Sequence, residues 1–210
     1  MDKEQLDKLT AFIQENKGQR KFTQSVELAV NFSGIDFTKQ DNRLNLQVAL
    51  PNGKGKVSSV IIFADDLNIK SKAEAAGAKV IDGKSLPSIA TDKAQMNELL
   101  ENELIAQASL MPQIAKSLGQ FLGPRNKMPK PLVGGDVQSV INSISKSTSI
   151  RSKGKYLPTV HCVVGNEKMD AQQLAANIDE VIGAIAKKLG RHTIKSAYVK
   201  LTMSAPVRLI

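Results

Sequence analysis

Two hydrophobic rhythms run along the chain, and the switches between them mark its elements. Near the start, Leu6, Leu9, Phe12 and Ile13 recur at helical spacing, with Asp2 and Gln5 placed as a capping box and Gly18 just past the end. The period then falls to two. In "SVELAVNF", Val26, Leu28, Val30 and Phe32 share one face of a strand, and in "RLNLQVAL" Leu44, Leu46, Val48 and Leu50 do so before the turn "PNGKGK". The last fifty residues mirror this. "PTVHCVVG" sets Val160, Cys162 and Val164 on one face, and Asp170 caps a helix carrying Leu174, Ile178, Val181, Ile182, Ile185 and Leu189, ended by Gly190. "SAYVKLTMS" closes the chain with Ala197, Val199, Leu201 and Met203 opposed to Tyr198, Lys200, Thr202 and Ser204.

Neither end covers its own sheet, so the two are expected to combine into one two-layer α+β domain with a four-stranded antiparallel sheet and two helices. That domain is discontinuous, residues 1–58 and 155–210, and encloses an inserted domain over 59–154. The insert has another character. "VIIFA" is apolar without alternation, as a strand buried on both faces must be. Asp65 or Asp66 caps a helix through Ala76, "KVID" and "LIAQASL" read as strands, Pro112 opens a helix, and Asp136 caps one bearing Val137, Val140, Ile141 and Ile144. Alternating strand and helix predict a parallel, Rossmann-like three-layer α/β domain. Within it, "FLGPRNKMPKPLVGGDV", 121–137, holds three prolines, three glycines and three cations, and neither helix nor regular strand is expected to run through it.

Charge sharpens the picture. The chain carries a formal +9, which draws polyanions by counterion release. The excess is uneven: residues 116–155 hold eight cations against the single acid Asp136. Aromatic residues make up 4% of the chain with no Trp, which argues against a base-stacking platform for single strands. One cysteine, Cys162, excludes an internal disulfide and a multi-thiolate metal cage. The N-terminus "MDKEQLDKL" lacks an apolar signal core and no run approaches a membrane span, so a cytoplasmic protein without membrane partners is expected.

Enzyme chemistry finds little support. "GKGKVSS" matches neither phosphate-loop pattern and joins two strands, so no helix N-terminus awaits a phosphate. His161 and His192 have no carboxylate at ligand spacing, and His161 and Cys162 point to opposite strand faces. No catalytic residue, metal or cofactor is assigned. An enzyme that uses a nucleotide or phosphate on the inserted domain stands as the alternative.

"LGPRNKMPKP", the preceding "AQASLMP", "VGNEKM" at 164–169 and "AYVKLTMS" at 197–204 together resemble the ribosomal protein L-one family in its archaeal branch. The likeness spans the whole chain. It implies a protein of the mobile stalk of the large ribosomal subunit, monomeric when free. It also implies that the protein binds large-subunit ribosomal RNA and exit-site transfer RNA, assists release of deacylated transfer RNA, and represses its own messenger RNA through a leader that mimics the ribosomal site. Carried over by motif, the resemblance names Lys21, Phe22, Ser25 and Glu27 in "RKFTQSVE" and Thr202, Met203 and Ser204 in "KLTMS" as RNA contacts, with His161 and Lys168 as weaker ones. Arg125, Lys127 and Lys130 of the Pro-rich loop are secondary RNA contacts in this reading. Small hydroxyls suit 2′-hydroxyls and phosphates, whereas Glu27 must accept from a base or sugar donor. By strand parity alone Met203 belongs to the core and Phe22 staples the sheet; the resemblance instead turns both toward RNA. The family pattern Gly-Pro after Thr-Met is replaced by Ser204-Ala205-Pro206, so the Ser204 hydroxyl is expected to make that contact. The chain stops at "VRLI" without the lysine-rich tail of archaeal relatives, which predicts weaker non-specific affinity.

Overall fold

The computed structural model describes residues 2–55, 59–125, 127–132, 137–152 and 157–210. From the N-terminus it runs through α1 (Lys3–Asn16), β1 (Ser25–Phe32), β2 (Asn45–Ala49), β3 (Val60–Phe63), α2 (Leu67–Ala75) and β4 (Lys79–Ile81). Then follow α3 (Leu86–Thr91), α4 (Lys93–Glu101), β5 (Glu103–Gln107), α5 (Met111–Leu122), β6 (Lys130–Leu132) and α6 (Val137–Lys146). β7 (Ser147–Arg151), β8 (Thr159–Asn166), α7 (Ala171–Leu189), β9 (Ile194–Leu201) and β10 (Val207–Arg208) complete it. The fold is mixed α/β, with three sheets among the described residues, and the chain separates into two compact units, Met1–Lys56 with Lys146–Ile210, and Val57–Ser145. No helix among the described residues is long and apolar enough to cross a membrane.

In the first unit the sheet order is β10-β9-β1-β8, antiparallel throughout. Strand alternation decides its two faces. Val26, Leu28 and Val30 of β1, Val160 and Cys162 of β8, and Ala197, Val199 and Leu201 of β9 pack against Leu9, Phe12 and Ile13 of α1 and Leu174, Ile178, Val181 and Ile185 of α7. α1 begins with the expected box, Gln5 Oε1 accepting from the Asp2 N–H at 3.1 Å; at α7, where a cap by Asp170 was expected, Gln173 Oε1 also accepts from the Asp170 N–H at 3.4 Å and completes a box. Among the described residues of this unit, both helices lie on that one face.

The membership of this sheet differs from the expectation. "RLNLQVAL" does form a strand, but β2 pairs with β7 in a separate two-stranded antiparallel ribbon, and the fourth place in the sheet goes to the two-residue β10. Periodicity assigns a strand its buried face and is silent about its partner. Leu44, Val48, Leu50 and Ile150 of the ribbon still join the same core, which satisfies the hydrophobic pattern equally well. Pairing with β2 also draws β7 into the first unit, so the second division falls at 145/146 where 154/155 was expected.

The second unit has a parallel sheet, order β4-β3-β5-β6. Ile61 and Phe63 of β3 face a core shared with α3, α4 and α5, while Val60 and Ile62 face α2 and α6, which is why "VIIFA" needs no polar position. Asp66 caps α2 by accepting from the Asn68 N–H at 2.8 Å. Asp136, expected to cap α6, lies outside the described residues. The Pro-rich stretch is not devoid of structure: α5 continues to Leu122, and β6 pairs with β5 through Pro131. An edge strand tolerates proline because the missing N–H is needed on one side only.

Candidate nucleic-acid interface

Three segments distant in sequence meet at one end of the first unit's sheet. The Ser25 N–H donates to Thr202 Oγ1 at 3.1 Å, and Thr202 Oγ1 reaches back to the Ser25 carbonyl at 3.5 Å. Next to them Gln24, almost fully buried, works as a hub. Its Oε1 accepts from the Met203 N–H at 3.1 Å, and its Nε2 donates to Glu167 Oε2 at 3.2 Å. Its carbonyl accepts from the Glu167 N–H at 3.0 Å. The Glu167 carboxylate, only 5% exposed, also takes the Gly18 N–H at 3.5 Å. A buried carboxylate is costly without such donors. The hub thus locks the end of α1, the start of β1, the turn after β8 and the turn after β9 into one rim.

On this rim sit most of the residues singled out from the sequence. Lys21, Phe22, Lys168, Thr202 and Met203 are exposed, and Ser25 and Ser204 are half-buried. Phe22 is 50% and Met203 59% exposed, so neither belongs to the core. Parity misplaces Met203 because β9 ends at Leu201 and residues 202–204 form a turn, where alternation no longer applies. The Ser204 hydroxyl, expected as an RNA contact, is engaged within its own turn. It accepts from the Leu201 N–H at 2.9 Å and donates to the Ala205 carbonyl at 3.1 Å, so it braces the turn and spends its proton internally.

Glu27 and His161 lie on the open face of the same sheet. Glu27 stands opposite Lys200, with Lys200 Nζ 3.7 Å from Glu27 Oε2, and this offsets the carboxylate that would otherwise repel phosphate. His161 is exposed in a cross-strand row with Ala29 and Tyr198. Cys162 points the other way into the core, where burial, helped by the Glu27 charge, pushes its thiol up to about 12.

A bulge shapes the β8 end of the rim. Val26 pairs with Gly165 and Glu27 with Val163, which leaves Val164 as the extra residue. Beyond it the strand's parity inverts, and Gly165 is turned toward α7. A Cβ there would collide with Leu174 and come within 2.8 Å of Met169 Sδ. Asn166 then reaches Gly55 O at 2.7 Å through Nδ2 and takes the Lys168 N–H at 3.0 Å on Oδ1. These bonds fix the turn that presents the exposed Lys168.

The loop cations of the second unit are engaged within it. Lys127 Nζ donates to the Asn102 carbonyl at 3.2 Å, and Lys130 Nζ lies 3.8 Å from Glu103 Oε2. Arg125 stacks its guanidinium 4.2 Å from the Phe121 ring centroid and donates to the Phe121 carbonyl at 3.2 Å, yet stays exposed. At the carboxyl ends of the parallel strands, where such sheets hold ligands, stand Asp65, Asp66 and Asp82. Asp65 accepts from the Gly83 N–H at 2.9 Å and Asp82 pairs with Lys70. Carboxylates in those positions repel a phosphate. Among the described residues no cluster of His, Cys, Asp or Glu suits a metal ion.

Sequence reasoning missed Gln24 and Glu167, the two side chains that assemble the rim. Both are buried polar groups, which hydrophobic patterning cannot register. Lys200 was legible only by its parity on β9.

Residues 11–205 match the profile described as "Ribosomal protein L1p/L10e family". The chain is 40% identical over 211 residues to the large ribosomal subunit protein uL1 of Pyrococcus horikoshii, covering 96% of this chain and 95% of that protein. It is 36% identical over 214 residues to the protein of the same name from Thermoplasma volcanium, covering 100% and 97%. The corresponding figures for Methanothermococcus thermolithotrophicus are 36% over 215 residues, 100% and 99%.

Proposed function

Because the chain belongs to the ribosomal protein L1p/L10e family, whose members are structural rather than enzymatic, we propose that it is a large-subunit protein that holds ribosomal RNA on the Gln24–Thr202 rim. The observation that carries this reading is the convergence of residues 21–27, 166–168 and 202–204, far apart in sequence, onto one hydrogen-bonded, cation-bearing edge. In it the RNA-binding domain is the discontinuous one built from both termini. Lys21 and Lys168 attract phosphates, Phe22 and Met203 offer apolar surface to sugar and base, and Ser25 and Thr202 meet 2′-hydroxyls. Glu27, His161 and Ser204 frame the contact, the first through Lys200 and the last by bracing the turn. Arg125 supplies a secondary contact, with Lys127 and Lys130 holding the loop that carries it.

The finer reading follows the family resemblance. The RNA target is a junction at the mobile stalk beside the transfer-RNA exit site, the protein assists departure of deacylated transfer RNA, and it represses its own message through a leader of similar shape. The working place is the ribosome in the cytoplasm. Sedimentation of a cell extract tests the first step: the protein should travel with mature large subunits and stay with them in moderate salt. Recovery only at the top of the gradient would overturn the assignment. A reporter carrying the protein's own leader should lose translation when the protein is supplied in excess, and constant output would remove the feedback reading.

A further inference from the structure

The last thirty residues, 181–210, contain six cations and no acid. Lys200 and Arg208 belong to the sheet. The other four, Lys187, Lys188, Arg191 and Lys195, fall within nine residues at the corner where α7 turns into β9. Backbone geometry fixes this corner. Gly190, at φ 87°, donates to the Ala186 carbonyl at 2.9 Å, and buried Thr193 donates through Oγ1 to Gly190 O at 2.7 Å. The Ser33 N–H beside β1 donates to the Thr193 carbonyl at 2.9 Å. Asn31 pairs with Ser196 and Phe32 with Ile194, so Lys195 is the extra residue of a bulge, a device that re-aims a side chain.

All four cations are exposed, and among the described residues none pairs with a carboxylate; Lys188 Nζ donates to the Arg43 carbonyl at 2.7 Å. In the neighbouring loop, Asp36 is occupied by Thr38, whose hydroxyl donates to it at 2.6 Å. Attraction to a helix C-terminus explains Lys187 and Lys188. It does not reach Arg191 and Lys195, which lie beyond the helix. Nor does the corner serve the rim at a distance. Eight residues separate Ile194 from Thr202, about 25 Å at strand rise, whereas charges are screened over about 8 Å at physiological salt. The corner either meets phosphates of its own or adds nothing to binding.

We propose that this corner is a second RNA contact, a sequence-independent one that takes the phosphodiester backbone of a strand away from the rim. It shares with the proposed function only the class of partner. The test measures binding of the full chain to poly(U) and to a large-subunit RNA fragment across a salt series. With Lys187→Ala, Lys188→Ala, Arg191→Ala and Lys195→Ala combined, poly(U) affinity should fall at least tenfold and the salt slope by up to about 3, at roughly 0.7 per phosphate. Affinity for the structured fragment should stay within a few-fold of wild type, which also reports folding. A matched variant of the second unit, Lys72→Ala, Lys84→Ala, Lys93→Ala and Lys116→Ala, removes the same charge and should leave the slope unchanged. An unaltered poly(U) slope in the corner variant overturns the proposal, as does an equal loss in both variants. Should the fourfold change impair folding, Arg191→Ala with Lys195→Ala carries the same test. Failure of the main reading is separate: wild type would then bind the fragment no better than poly(U).

Discussion

The Ser25 N–H donates to Thr202 Oγ1 across 177 residues of sequence, tying the first residue of β1 to the turn after β9. Thr202→Val keeps the side-chain shape and removes the bond. Affinity for the large-subunit RNA fragment should fall about tenfold, on the order of 1.4 kcal/mol, because the rim loses both its alignment and a hydroxyl. Stability should change by less than about 1 kcal/mol, since the bond is exposed. A titration with RNA and a thermal melt separate the two effects.

Gln24→Leu should act the other way round, on folding first. It strips a donor from the buried Glu167 carboxylate and leaves the Met203 N–H without its acceptor. Loss of about 2–3 kcal/mol is expected by denaturant unfolding, with RNA affinity reduced even where the protein is fully folded.

Gly165→Ala tests the bulge. The new methyl would collide with Leu174 and crowd Met169, so either α7 or the turn bearing Lys168 must shift. Destabilisation of about 1–3 kcal/mol is expected from the overpacked core, measured by urea unfolding. Gly183→Ala is the control, because nothing stands within 4 Å of its added carbon.

The buried Cys162 gives a pH dependence. Its thiol ionises at about 12 in the folded chain against an ordinary value of 9.0, so above pH 9 the unfolded chain releases a proton that the folded chain keeps. This contribution to stability is whole below pH 9 and declines as pH rises toward 12, by up to about 1.4 kcal/mol per unit. Cys162→Ala should flatten that slope. A thiol reagent at pH 8 should label the native protein slowly and the urea-unfolded protein at once.

Much of the fold could be read from alternation: α1, β1, β8, α7 and β9 stand where their apolar periods put them, because each buries one face against the same core. Partner choice could not. β2 was legible as a strand, but the Ser- and Thr-rich β7 that pairs with it carries almost no hydrophobic signal, and β10 is too short to show a period. β6 is hidden by Pro131, tolerated only because the strand is an edge. At the rim, exposed cations and motif residues were visible in the sequence, whereas Gln24 and Glu167 act through a buried polar bond that no periodicity reports. The Ser204 hydroxyl, expected as an RNA contact, also braces the turn after β9, a role that only three-dimensional neighbours reveal.

In the proposed reading the rim is a formed surface that recognises folded ribosomal RNA, and Phe22 is its exposed aromatic side chain. Binding of wild type and Phe22→Ala to the stalk-junction fragment, each in the presence of excess unstructured competitor, is the direct measurement. Wild type should hold the fragment against competitor, and Phe22→Ala should bind it about tenfold more weakly, with the same salt slope and the same melting temperature. Equal affinity of the two proteins, or displacement of wild type by the competitor, would contradict the account.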